Sequence, residues 1–188
     1  MNRFRLAALV LIGGLLIAGC GGSGTTTPTA TGPSLAAPTD GTVFTDPTGA
    51  YSITESPDWT AGSVQTPKMW SLKQGDETFR DNVNIFVEQL PDGVDLAEYT
   101  TVSLKNAPKL IQDLKVASNE RVTLVSGQPA TRLRFSGTVS GNNMEFLQIY
   151  AVASGKRAVV VTLTAPASRI DGDIVASEPY MRTVEVKS

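Results

Sequence analysis

Histidine is absent from all 188 residues, and cysteine occurs once, at Cys20. The first absence removes Ser-His-Asp and Cys-His catalysis and every histidine-bound zinc site. The second removes any intramolecular disulfide, so stability must come from an apolar core. No block of lysine or arginine is present: 16 basic residues face 18 acidic ones, without the electrostatic footprint of a nucleic-acid binder. Nor is there a long apolar run. Leu6 to Ala18 is 13 residues, interrupted by Gly13 and Gly14, where a membrane span needs roughly 20.

That short run follows Arg3 and Arg5, which gives it the flanks of an export signal. It ends in Ile17-Ala18-Gly19-Cys20, an apolar residue, two small ones and the single thiol. This is the pattern of a lipoprotein cleavage site. On that reading the cut falls between Gly19 and Cys20, residues 1–19 are removed as the signal peptide, and Cys20 receives a diacylglyceryl group; a plain secretory cleavage site and an uncleaved anchor are the other two readings of the segment. Each buried methylene contributes about 0.8 kcal/mol, so two acyl chains hold the protein to the outer face of the cell membrane where one would be marginal. Without Arg3 and Arg5 the chain carries 14 basic and 18 acidic side chains, about −4. It has no polybasic patch to reinforce contact with anionic lipid, and the lipid on Cys20 must do the anchoring.

Residues 20–41 read as a tether rich in Gly, Thr and Pro, with Leu35 its only large apolar residue. Such a segment buries too little surface to offset the entropy of ordering it. Roughly 20 residues of this kind reach about 25 Å on average. The Thr/Pro run is also the composition of O-glycosylated stalks.

The globular domain is expected over residues 42–188. Val43-Phe44-Thr45, the turn Asp46-Pro47-Thr48-Gly49 and Tyr51-Ser52-Ile53-Thr54 make a hairpin. Trp59, just after a second turn, folds back as a core anchor. Met69–Leu72 and Asn82–Glu88 are strands, the latter with Val83, Ile85 and Val87 on one face. A helix starts at Leu96, because Asp95 and Glu98 stand in capping-box spacing, with Leu96, Tyr99, Leu104 and Ala107 as its buried stripe. Pro108 ends or kinks it. Strands follow over Arg121–Val125, Thr131–Val139, Met144–Val152 and Arg157–Ala165. Leu133, Phe135 and Val139 point inward, and Arg132, Arg134 and Ser136 outward. The stretch Ala158–Leu163 is apolar on both faces, which suits a central strand covered on both sides. Ile170, Ile174 and Met181 recur at helical spacing despite Gly172 and Pro179, and Thr183–Val186 forms an edge strand. The class is α+β, a central antiparallel sheet flanked by helices and preceded by a disordered tether.

Few residues offer chemistry. Glu88, Asp92, Asp95 and Glu98 cluster in sequence, and two carboxyls can hydrolyse a glycosidic bond from opposite sides, so a carboxylate-dependent hydrolase of envelope glycans is the enzymatic alternative. Capping and turn roles account for the same residues. Ser126-Gly127 and Ser154-Gly155 are turn dipeptides. Trp70, beside Met69 near a strand start, is the candidate ligand-binding residue, since an indole offers a broad face and one donor to a lipid or sugar; core packing is its other reading. Arg132, Arg134, Lys156 and Arg157 either meet an acidic partner or line a solvated strand face. No cofactor, metal or catalytic site is assigned.

Tyr51-Ser52-Ile53 leading to Pro57-Asp58-Trp59, Asn82–Glu88 with Leu90-Pro91 and Leu96-Ala97-Glu98-Tyr99, Gly127-Gln128-Pro129-Ala130, Phe146–Tyr150 and Leu163–Pro166 together resemble the PsbP-like fold. Within that fold they are similar to the LpqN/LpqT lipoproteins of actinobacteria. The resemblance spans about residues 42–188 and implies a PsbP-like sandwich, an envelope location in a mycobacterium or relative, and an accessory rather than catalytic role. Members of that family are connected with envelope lipid export and host contact; for this chain an envelope protein or glycolipid partner is expected, and a monomeric domain.

Overall fold

The computed structural model describes residues 34–62, 68–75, 80–153 and 156–187. Gly19, Cys20, the signal peptide and the first part of the tether lie outside the described residues.

The elements run β1 (Thr42–Thr45), β2 (Tyr51–Glu55), β3 (Trp59–Ala61), β4 (Lys68–Gly75), β5 (Arg80–Gln89), α1 (Leu96–Asn106), β6 (Gln112–Thr123), β7 (Pro129–Val139), β8 (Asn142–Ala153), β9 (Arg157–Pro166), α2 (Ile170–Met181) and β10 (Glu185–Val186). Seven strands form one sheet in the order β3-β4-β5-β9-β8-β7-β6, every neighbouring pair antiparallel. β9 is the middle strand, and Ala158–Leu163 is buried along its whole length, as an apolar pattern on both faces requires. The β1–β2 hairpin pairs with β10 in a separate three-stranded sheet, so the C-terminal strand is an edge of this second layer.

Two apolar clusters lie on opposite faces of the large sheet. On one face Val83, Ile85, Ile149, Val161 and Leu163 meet Ile170, Ile174 and Met181 of α2 and Tyr51 and Ile53 of the small sheet. On the other, Leu133, Phe135, Phe146 and Tyr150 meet Leu96 and Tyr99 of α1. α1 starts as its sequence directs: the Asp95 carboxylate accepts the Glu98 N–H at 2.8 Å, which satisfies one of the free amides of the first turn. The α-helix stops at Asn106, and a 3-10 turn carries Pro108.

Three expectations are corrected. β6 begins at Gln112, nine residues before the expected Arg121, and stops at Thr123. Its register shifts twice, between Gln112 and Lys115 and between Val116 and Ser118, and it is an exposed edge, so no alternation marks it. Arg132 and Arg134 point outward from one cluster but toward α2, not toward solvent. Arg132 binds Glu178 of α2 through two nitrogens at 3.0 and 3.1 Å, and Arg134 reaches Asp171 of α2 at 2.8 Å and Glu145 of β8 at 2.7 Å. Finally, the last tether residues rest on the domain: Ser34 forms a parallel bridge with Thr123, and Tyr180 donates its hydroxyl to Asp40 at 2.5 Å.

Two glycines separate the packing of the faces. A Cβ on Gly137 of β7 would stand 2.2 Å from Ile111 Cγ2 and 2.8 Å from the Gln112 carbonyl, whereas one on Gly172 of α2 meets nothing within 4 Å. Gly137→Ala is expected to cost about 1–3 kcal/mol by overpacking, and Gly172→Ala to stabilise by about 0.5–1 kcal/mol through helix propensity. Urea midpoints of the two variants check this; equal midpoints would mean that β6 gives way freely.

Candidate functional site

Cross-strand partners in a sheet share a face, so the register shows which side chains stand together. On the α1 side, Met69, Asn84, Thr162 and Gln148 form one row across β4, β5, β9 and β8. Ser71, Asn82, Thr164 and Phe146 form the next, and Phe86, Val160 and Tyr150 a third. α1 packs over the β7–β8 half of this face. Toward β4 and β5 the side chains of Met69, Ser71, Asn82, Asn84, Phe86 and Thr164 remain half-buried.

This half has a distinct chemistry. Among the described side chains of the first two rows there are amides, hydroxyls, a thioether and a phenyl ring, and no charge. Where α1 begins to cover the sheet, the polar groups are paired in a chain. Tyr150 donates to Gln148 Oε1 at 2.6 Å, and Gln148 Nε2 donates to Thr162 Oγ1 at 3.0 Å. Asn84 donates to Asn82 Oδ1 at 3.3 Å, leaving further amide positions for a ligand. At the α1 border Tyr99 donates to Glu88 Oε2 at 3.0 Å and meets Tyr150 edge-on at 5.6 Å. Burial pushes the Glu88 carboxyl above its ordinary range, with the Tyr99 hydrogen bond opposing. Burial likewise pushes the Tyr99 and Tyr150 hydroxyls well up, so both remain neutral donors.

The residues singled out in the sequence fall elsewhere. Trp70, the candidate ligand contact, is 1% exposed on the α2 side. Its indole N–H donates to Glu55 Oε1 at 2.7 Å, and its ring sits 5.5 Å from Trp59 and 6.0 Å edge-on from Phe44. It is a core residue, enclosed because β4 is roofed by the small sheet, and it offers no open face to a ligand. Trp59 is buried too and donates to Ser177 Oγ at 3.3 Å.

The four basic residues do not form an exposed patch. Arg132 and Arg134 are covered by α2, Arg157 donates to the Lys187 carbonyl at 3.1 Å, and Lys156 alone is exposed. Of the four clustered carboxylates, Asp95 caps α1, Glu88 accepts from Tyr99, and Asp92 and Glu98 are solvent-exposed. No group of three or more Asp, Glu or Cys residues that could hold a metal occurs among the described residues.

Sequence reasoning identified Val83, Ile85 and Val87 as one face of β5 but gave no value to Asn82, Asn84 and Phe86 between them. The signal was available in the same alternation: two amides and a phenyl on the open side of a strand, with no lysine or glutamate until Glu88.

A family model described as DcrB matches residues 63–181, more than half of the chain. No curated protein matches the sequence. Among solved structures, LpqN of Mycobacterium tuberculosis, described as involved in cell envelope biogenesis, is similar at 14% identity and a TM-score of 0.60, over 73% of this chain and 83% of that one. PA94 of Pseudomonas aeruginosa, a protein of unknown function, is similar at 16% identity and a TM-score of 0.59, over 78% and 97%. The cyanobacterial PsbP of Synechocystis sp. PCC 6803 is similar at 15% identity and a TM-score of 0.55, over 78% and 92%. At such identities the likeness is one of fold, and the fold is PsbP-like. The family matched in sequence is DcrB, and the likeness to LpqN shows the fold alone.

Proposed function

The chain belongs to the DcrB family, and from that premise we propose a non-enzymatic protein of the cell envelope that binds an amphiphilic envelope ligand. The observation that supports this reading best is the set of rows on the α1 side of the sheet between Arg80 and Glu88, without charge among their described side chains, where Asn82, Asn84, Ser71 and Thr164 stand beside Phe86 and Met69. Amides and hydroxyls suit the hydroxyl groups of a neutral headgroup, and the apolar pair suits what is attached to it. Export and a diacylglyceryl anchor at Cys20 would place that face beside the outer surface of the membrane, within reach of such ligands. The hydrolase alternative loses ground because Asp95 and Glu88 already have structural partners, while Asp92 and Glu98 stand in solvent.

A photo-crosslinking residue at Phe86, in the full-length protein in its own membrane, tests the reading. We expect a lipid-sized adduct, suppressed by added alkyl glycoside and lost when Asn84→Arg places a charge in the row. The same crosslinker at Val116 of the exposed β6 edge is the control. Equal labelling at Val116, or labelling indifferent to Asn84→Arg, would reject the site, and a protein-sized adduct would replace the lipid ligand by a protein partner.

A further inference from the structure

We infer that Asp81 and Asp173 form a buried proton-binding site that latches the first turn of α2 to β5, so that pH governs whether this end of the helix is held closed. Asp81 is 0% exposed, and Arg169 grips both its oxygens, Nε to Oδ2 and Nη2 to Oδ1, each at 2.7 Å. Asp173, 2% exposed, stands one helical turn after Arg169, whose carbonyl accepts the Asp173 N–H at 3.2 Å. Arg169 thus joins β5 to the loop before α2, and the hydrogen bond between the Asp173 and Asp81 carboxyls brings in the helix itself.

The charge in this cluster does not balance when both acids are ionised. Two carboxylates would share one guanidinium, and Asp173 Oδ2 has no hydrogen-bond partner among the described residues. A buried excess charge of that kind is costly, and a proton held between the carboxyls removes it. Burial first, and then the hydrogen bond to Asp81 and its charge, push Asp173 up to about 7 against the opposing Arg169. The neighbouring charges are committed elsewhere. Asp171 on α2 pairs with Arg134 of β7, beside Glu145 of β8, and Glu178 farther along α2 pairs with Arg132 and Arg182.

The direction follows from linkage. Asp173 binds its proton more tightly in the closed structure than in the unfolded chain, where it titrates near 4. The latch is therefore complete in acid and weakens as pH rises from about 4 through 7. Ile170 and Ile174 flank Asp173 and sit in the core with Val83, Leu163 and Ala165, so opening this turn would uncover apolar surface on the α2 side. That surface lies on the opposite face from the proposed ligand rows, and the latch does not depend on them.

Hydrogen–deuterium exchange of the full-length protein in detergent, read on peptides spanning 167–176 and corrected for intrinsic exchange, is the test. Between pH 5 and 7 the opening equilibrium of this turn should rise some tens of fold, about 50-fold for the two titration points, and level off above pH 8. Asp173→Asn, which mimics the protonated acid, should flatten the profile. Asp81→Asn should move its midpoint toward acid, because Arg169 then serves Asp173 alone. A flat wild-type profile, or an unchanged one in Asp173→Asn, would overturn the latch.

Discussion

Cys20→Ala is expected to abolish lipidation, and with it the proposed lipid anchor. The residue is the only thiol in the chain, so nothing else can form the thioether on which the diacylglyceryl group is carried. Two acyl chains give an effectively permanent hold where a single chain is marginal, and the variant has none. Either an unprocessed precursor or a released soluble form should replace the anchored protein. Intact mass decides the matter: the wild type must show an acyl increment on a mature chain beginning at Cys20, and the variant must lack it. Membrane-bound wild-type protein without that increment would refute the proposed anchor, while leaving the ligand site proposed at Asn82, Asn84 and Phe86 untouched.

Trp70→Ala should cost about 3–5 kcal/mol, the range for deleting a large buried aromatic. Three neighbours lose their partner at once: Trp59 at 5.5 Å, Phe44 at 6.0 Å, and the Lys68 ammonium 5.3 Å above the ring. Glu55 also loses the donor that reaches its Oε1 at 2.7 Å. Such a loss is a large share of the stability of a domain this size. Guanidinium unfolding measures it directly. A cost below about 1 kcal/mol would mean that the site collapses around the void or that the indole is not enclosed, and the second outcome would restore Trp70 as a ligand contact.

Local signals in the chain carried much of the architecture. The alternation of Val83, Ile85 and Val87, the Asp95 cap and the doubly apolar Ala158–Leu163 each act within one element, and each is realised. What remained hidden depends on elements far apart in sequence. Arg132 reads as a solvent residue on β7 until α2 is laid over it, because its partner Glu178 is 46 residues away. Arg169 and Asp81 are separated by 88 residues, and no local pattern announces their pairing. Trp70 stood open between groove and core because the hairpin that roofs it forms its own sheet, a layer that strand periodicity alone does not place. The candidate site was half legible: its strands were visible, but which half of their face α1 leaves open is a matter of packing.

The parallel bridge from Ser34 to Thr123 sets how the domain would hang from the proposed anchor at Cys20. Thr123 pairs with Pro129, at the end of the sheet that also holds Ala151 of β8, Val159 of β9 and Val87 of β5. The chain thus departs beside that end, and Phe86 and Glu88 lie closer to it than Asn82 and Ser71 do. The proposed anchor at Cys20 stands 14 positions before Ser34, a stretch of chain that spans at most about 50 Å at full extension. A domain anchored in this way would be confined to so small a hemisphere that it would meet the membrane surface at an effective concentration on the order of millimolar. The proposed ligand site, facing that layer, could then work with an affinity far weaker than a freely diffusing protein would need.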